Sequence, residues 1–150
     1  MAQSFCRNTI HIIFSTKNRL PFIQDIETQK QCFAYLAKIF KDDFGFIRIV
    51  GGHEDHIHLL GDLNSTCTVA DCVEGLKTST SEWAKKKLNE PNFYWQNGYA
   101  AFSVSNSQID TVYKYIEKQE EHHKKMDFKT ELLGFLERHD LPYNREYIFD

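Results

Sequence analysis

The sequence predicts an α+β fold in which one antiparallel sheet is covered by helices. Segments of β-branched or period-two character recur along the chain, and two segments of 3.6-residue periodicity separate them in the order β-α-β-β-α-β. No apolar run approaches the ~20 residues that a membrane-spanning helix needs. At 150 residues the chain fits one domain, 1–150, large enough to bury a core.

The first strand is "TIHIIF" (9–14), rich in β-branched residues. In "IETQKQCFAYLAKIFKD", Phe33, Leu36, Ala37 and Phe40 fall at i, i+3, i+4 and i+7, the stripe of an amphipathic helix. "FGFIRIVGG" (44–52) alternates and ends in a glycine pair, as a strand entering a turn does, and "DHIHLLGDL" is its hairpin partner. Helical spacing returns over 68–88 through Val69, Cys72, Val73, Leu76, Thr80 and Trp83. The aromatic, β-prone "NFYWQNGYAAFSVS" (92–105) supplies the last strand. This order is that of the ferredoxin-like split βαβ sheet, which places the second strand of the central hairpin inside the sheet and packs two helices on one face. Beyond it, Ser107 three residues before Asp110 has the spacing of a capping box at the start of a further helix. A last helix over 128–138 presents Phe128, Leu132, Phe135 and Leu136.

Composition narrows the function classes. The N-terminus "MAQSFCRNTIHIIF" lacks the h-region and small-residue cleavage site of a signal peptide, so a cytoplasmic, membrane-free protein is expected. Cys6, Cys32, Cys67 and Cys72 form no CxxC pair, which excludes a zinc ribbon and reads as reduced, mostly buried thiols. In the last 25 residues Asp127, Glu131, Glu137, Asp140, Glu146 and Asp150 stand against Lys129, Arg138 and Arg145, and this difference accounts for the whole net charge of −3. The body is neutral, with its cations clumped at Arg7, Lys17 and Arg19, at Lys77, Lys85, Lys86 and Lys87, and at Lys114, Lys118, Lys124 and Lys125. Such clumps suit a phosphate backbone, although ordinary solvated faces carry the same charge.

The stretch "VGGHEDHIHLLGDL" (50–63) is the informative one. Strand alternation turns His56 and His58 to one face, with Ile57 and Leu59 on the other. A lone histidine there is more often a satisfied core residue; two on one face make half of a metal site. In the helix beginning near Ser107, Ile109, Val112, Tyr113 and Ile116 form the packing stripe. Tyr115 lies off it, and at ~100° per residue Tyr115, Gln119 and His122 form a separate polar stripe. A tyrosine and a potential metal ligand one turn apart can reach one point.

"DHIHLL" and "YIEKQEEHHKK", with "WQNGYAAFSVS" between them, resemble the single-tyrosine HUH transposases of insertion sequences, a family that includes repeat-associated tyrosine transposases. The resemblance covers almost the whole chain. "HIIFSTKNRLPFI" matches the family's first strand and basic exit, "LKTSTSEWAKKK" its basic helix end and "LPYNREYIF" its closing segment. The His-x-His triplet is weak by itself, but joined to a downstream Tyr-Ile-x-x-Gln it is specific. The resemblance implies that His56, His58 and Gln119 hold a divalent metal, Mg²⁺ or Mn²⁺, and that Tyr115 is the nucleophile. It further implies cleavage and rejoining of single-stranded DNA at element ends through a 5′-phosphotyrosine, a hairpin-bearing DNA partner, and a homodimer whose active sites can be shared between chains. Three positions depart from the pattern: His53, read as a loop histidine, Ala100 in place of a glycine, and Thr80 in place of a serine.

The chemistry is consistent with these residue types. A free phenol has pKa ~10 and is a weak nucleophile unaided, whereas a cation on neutral ligands keeps its full charge for a phosphate. A zinc hydrolase is disfavoured because no carboxylate stands at His-Glu-x-x-His spacing; Asp55 reads as orienting a neighbour or capping the turn. A non-catalytic module for single-stranded nucleic acid, or a relative that nicks or binds DNA hairpins without transposition, are the other readings. By residue type, Lys17, Arg19, Lys77, Lys85, Lys86 and Lys87 would bind phosphates. Tyr94, Trp95, Tyr99 and Phe102 are either base-stacking or core residues.

Overall fold

A computed structural model describes residues 2–149. Its elements are β1 (Thr9–Ser15), α1 (Ile26–Asp43), β2 (Gly45–Gly52), β3 (His56–Leu63), α2 (Val69–Lys87), β4 (Ala100–Ser103), α3 (Ile109–Glu117), α4 (Gln119–His122) and α5 (Phe128–Arg138), with 3₁₀ turns at Lys17–Arg19 and Asn106–Gln108. The long helices start where side chains cap them: Asp25, Thr68 and Asp127 each accept a hydrogen bond from the backbone N–H three residues on. The sheet order is β2-β3-β1-β4, every neighbour antiparallel, as the split βαβ order requires. β1 and β3 are thus the interior strands.

Alternation divides the sheet into two unlike faces. Ile10, Ile12 and Phe14 of β1 and Ile57, Leu59 and Leu63 of β3 pack with Cys32, Leu36 and Phe40 of α1 and Cys72, Val73 and Leu76 of α2. The other face carries His11, Ile13, His56, His58 and Leu60 and is covered by the three C-terminal helices. There Ile13 and Phe102 pack on Phe128, Leu132, Phe135 and Leu136 of α5, and Leu60 on Ile109 and Ile116 of α3. Tyr143, Ile148 and Phe149 close the edge of the α5 cluster. Cys32 and Cys72 are buried, and burial pushes both thiols up to about 12; Cys6 is exposed. Among the described residues no helix is long and apolar enough to cross a membrane.

Four local expectations need correction. The last strand is only four residues long, because Gln96–Gly98 leave the ladder: the Gln96 Oε1 accepts from the Ser15 N–H at 2.6 Å and from the Ser15 hydroxyl at 2.7 Å. The helix after the sheet is interrupted at Lys118, whose φ of −98° and ψ of 18° separate α3 from α4. Ser107 is no cap, because it lies inside the second 3₁₀ turn with its hydroxyl 3.2 Å from that of Ser105. Tyr113 is 37% exposed and outside the packing stripe, while Tyr115 packs against both the α3 and α5 clusters.

Lys77 holds the 96–98 loop. Its ammonium donates to the carbonyls of Gln96 and Gly98 at 2.8 Å each, with the Asn97 carbonyl at 3.4 Å, and lies 5.2 Å from the centre of the Phe14 ring. Burial lowers its pKa to about 8. Lys77→Met keeps the stem and removes the donors, so it is expected to lower stability by about 1–3 kcal/mol. A urea melt checks this, and an unchanged midpoint would mean that the loop holds without the lysine.

Candidate active site

His56 and His58 stand at the first and third positions of β3, opposite Ser15 and Ile13 of β1, and both are fully buried. Each ring is fixed through its Nδ1, at 2.7 Å from Asp55 Oδ1 for His56 and at 2.8 Å from His11 Nε2 for His58. Asp55 therefore orients its neighbour, as expected. Fixing Nδ1 leaves both Nε2 atoms turned toward the helices, the arrangement in which an outer partner sets the tautomer of a ligating imidazole.

Gln119, the first residue of α4, brings its Oε1 to 3.1 Å from His56 Nε2 and 3.0 Å from His123 Nε2. Tyr115, one turn earlier, donates its hydroxyl to Glu131 Oε2, so Tyr115 and Gln119 do reach one point. His122 does not join them. Its ring stacks on that of Tyr115 at 4.6 Å between centres, and His123 takes the inward place. His53 remains in the β2–β3 loop, its ring stacked on that of His123 at 5.5 Å.

Three participants are absent from the sequence reading: His11, His123 and Glu131. Glu131, on α5, is buried beside His58 Nε2 at 2.8 Å, Gln119 Nε2 at 3.1 Å, His123 Nε2 at 3.3 Å and His56 Nε2 at 3.6 Å. One signal for it existed. Glu131 falls three residues after Phe128 and one before Leu132, within the apolar stripe of α5, where a carboxylate has no reason to be unless it has partners. The carboxylate that local spacing does not supply comes through tertiary structure.

The electrostatics suit ligation. Burial lowers the His58 pKa to about 4 despite Glu131, so its imidazole is neutral near pH 7. Burial, with His58 beside it, holds His11 well below the usual range. Glu131 is opposed by its own burial, but hydrogen bonds from His123 and His58 keep it ionised, well below the usual carboxylate range. Burial and the hydrogen bond to Glu131 raise the Tyr115 pKa well above that of a free phenol. The donor atoms of His56, His58, His123 and Glu131 all lie within 4.8 Å of one another. Imidazole nitrogens, a carboxamide oxygen and one carboxylate fit a divalent cation.

Close backbone approach sets these elements at their distances. A Cβ on Gly51 would meet the Ile116 carbonyl oxygen at 2.8 Å, so the missing side chain lets α3 lie on β2. Gly52 has φ of 153°, and a Cβ there would meet the His56 carbonyl oxygen at 2.2 Å. A cleft of about 430 Å³ reaches Tyr115 and His11 between β4, α3 and α5, with Arg138 and His139 on its wall.

Of the other sequence candidates, Trp95 and Phe102 are core residues, whereas Tyr94 and Tyr99 are half exposed. Lys17 and Arg19 follow β1 at the end of the sheet where β3 begins, and Lys85, Lys86 and Lys87 form the last turn of α2.

Residues 4–119 match the family described as "Transposase IS200 like". No protein of curated function matches the chain. Among solved structures, a transposase candidate from Deinococcus radiodurans R1 is 22% identical with a TM-score of 0.62, covering 79% of this chain and 98% of its own. A REP-associated tyrosine transposase bound to a REP hairpin is 16% identical with a TM-score of 0.60, covering 82% of this chain and 73% of its own. At these identities the two structures show a shared fold.

Gly51→Ala is expected to push α3 off β2 and to cost about 1–3 kcal/mol. Gly98→Ala, whose nearest neighbour would be the flexible Gln96 amide at 4.0 Å, should melt as wild type. Equal melting of the two variants would refute the close-approach argument.

Proposed function

The chain belongs to the IS200-like transposase family, and on that premise we propose that it cleaves and rejoins single-stranded DNA with Tyr115 as the nucleophile. The observation that carries the reading is convergence: the Tyr115 hydroxyl, Gln119, His56 and His58 all meet at one buried point, although they come from a strand and two helices. His56, His58 and Gln119 would hold a divalent cation, Mg²⁺ or Mn²⁺. When bound, the cation supplies charge neutralisation at the scissile phosphate.

The chain's own residues do the rest. Tyr115 Oη forms a bond to phosphorus as the bond from phosphorus to the 3′-oxygen breaks; the phenol gives up its proton, and the leaving 3′-oxygen ends as a hydroxyl. The product is a 5′-phosphotyrosine, and attack by a 3′-hydroxyl reverses the step with no external energy source. Packing of the Tyr115 ring between the α3 and α5 clusters limits the directions from which it can attack.

Lys17, Arg19 and Lys85–Lys87 are proposed to bind DNA phosphates. The Lys85 ammonium lies 4.2 Å from the centre of the Tyr94 ring, and the backbone N–H of Lys17 donates to the Tyr94 carbonyl at 2.8 Å, so a half-exposed aromatic sits against one cation on the segment that pairs with the Lys17 backbone. Lys77, with its donors directed at the 96–98 loop, would act by shaping that loop. The hairpin bound by the REP-associated neighbour supports a hairpin-bearing single strand as the DNA partner. A homodimer is proposed from the resemblance, and convergence within one chain favours a site complete in each protomer.

Tyr115→Phe should abolish both cleavage of single-stranded DNA carrying element ends and the covalent adduct on a denaturing gel, whereas Tyr113→Phe should cut as wild type. The adduct should carry the DNA on the 3′ side of the cut. An adduct that persists in Tyr115→Phe would sink the assignment. EDTA or His58→Ala should also stop cleavage, and full activity of His58→Ala in chelator would remove the metal from the reading.

A further inference from the structure

The α5 carboxylate lies beyond the family match, which ends at residue 119, and its two oxygens face different groups. Oε1 is 2.8 Å from His58 Nε2 and 3.6 Å from His56 Nε2, on the side of the histidine pair. Oε2 accepts from the Tyr115 hydroxyl and, at 3.1 Å, from the Gln119 amide, with His123 Nε2 at 3.3 Å. A carboxylate with this division of contacts can bridge, and a carboxylate oxygen beside two imidazole nitrogens is a ligand for a hard cation. We propose that Glu131 is a further ligand of the divalent cation through Oε1 and, through Oε2, the group that positions the Tyr115 hydroxyl.

This inference rests on the metal-site reading above and extends it to a residue that the motif does not contain. It makes α5 part of the reaction centre. Two observations favour it over a purely structural buried glutamate. The first is the neighbours: a glutamate buried for stability alone would be matched by a fixed cation, yet no Lys or Arg pairs with Glu131 among the described residues, and its partners are the groups that would ligate or attack. The second is the position of Gln119, whose Oε1 faces His56 while its Nε2 donates to Glu131. The amide is thereby oriented with its ligating oxygen toward the histidines, and Glu131 sets that orientation.

The test is Mn²⁺ binding to the full-length chain without DNA, followed by electron paramagnetic resonance, in wild type, Glu131→Gln and His58→Ala. Loss of an outer-shell partner alone costs 10–100-fold in affinity, so Glu131→Gln is expected to weaken Mn²⁺ binding by at least about 10-fold, with His58→Ala also weakened. Glu131→Gln binding as wild type, or more tightly because the carboxylate merely blocks the site, overturns the assignment while His58→Ala still reports on the metal site. If neither variant changes, the metal-site reading fails as well.

A second measurement does not depend on the variant's folding. In wild-type chain labelled with ¹³C at the glutamate carboxyl carbons, substoichiometric Mn²⁺ should broaden the Glu131 resonance more than any other, since its Oε1 lies 2.8 Å and 3.6 Å from the Nε2 atoms of His58 and His56. Uniform or absent broadening overturns the proposal. The positioning half has its own readout. Glu131→Gln keeps an acceptor oxygen for the Tyr115 hydroxyl and should regain adduct formation at saturating Mn²⁺, whereas Glu131→Ala should not. Equal recovery of both variants would show that the second oxygen positions nothing.

Discussion

Burying an ionised carboxylate costs several kcal/mol in lost hydration, and the cost is recovered only when both oxygens find good partners. Glu131 meets that condition by drawing groups from β3, α3, α4 and the segment after α4 to one point. Removing the carboxylate would leave His58, Gln119 and Tyr115 short of their common acceptor, which makes the cluster a coupled unit rather than a set of pairs. The covering of the sheet by the C-terminal helices follows from the same constraint. Phe128, Leu132 and Phe135 supply the apolar contact that carries Glu131 into the histidine face.

This arrangement is possible because the sheet divides its work between faces. Ile10, Ile12, Phe14, Ile57 and Leu59 anchor α1 and α2 on one side, where burial of aliphatic and aromatic side chains supplies the stabilisation expected of a core. The opposite side of the same two strands is free to carry polar residues. His11, His56 and His58 occupy interior strands hydrogen-bonded on both edges, so their Cα positions are fixed by ladders, and the Nδ1 atoms of His56 and His58 by Asp55 and His11. A site on such strands is held more tightly than one on loops, which suits chemistry that depends on alignment.

What could be read in the sequence was what local periodicity determines. His56 and His58 share a face because a strand has period two. Tyr115 and Gln119 reach one point because the Lys118 N–H still bonds to the Lys114 carbonyl at 3.1 Å, which preserves the turn across the helix break. Tyr113 was misplaced because the sequence argument allowed α3 only one covered face. α3 in fact meets the sheet through Ile109 and Ile116 and the α5 cluster through Tyr115, so two stripes are buried and Tyr113 belongs to neither. The partners of Glu131, His123 and His11 were beyond reach, since their contacts with β3 span 73, 67 and 47 residues and no local period records such pairings; only the misfit of a carboxylate in the apolar stripe of α5 marked Glu131 itself. The glycine pair was read as a turn signal, but the closer constraint at Gly51 is the backbone of α3.

Charge along the chain can now be given a spatial meaning. A neutral body followed by an acidic last 25 residues reads, from composition, as a fold with a solvated tail. The structure takes one of those carboxylates, Glu131, and buries it against His58, while Asp127 caps the helix that carries it. Glu137, Asp140 and Glu146 lie outward, so the local excess of negative charge is a poor guide to what the segment does. Beyond the family match the chain therefore contributes more than packing. Its last helix sets the hydrogen bond made by Tyr115 and the orientation of Gln119, and both depend on a residue whose sequence neighbours are apolar.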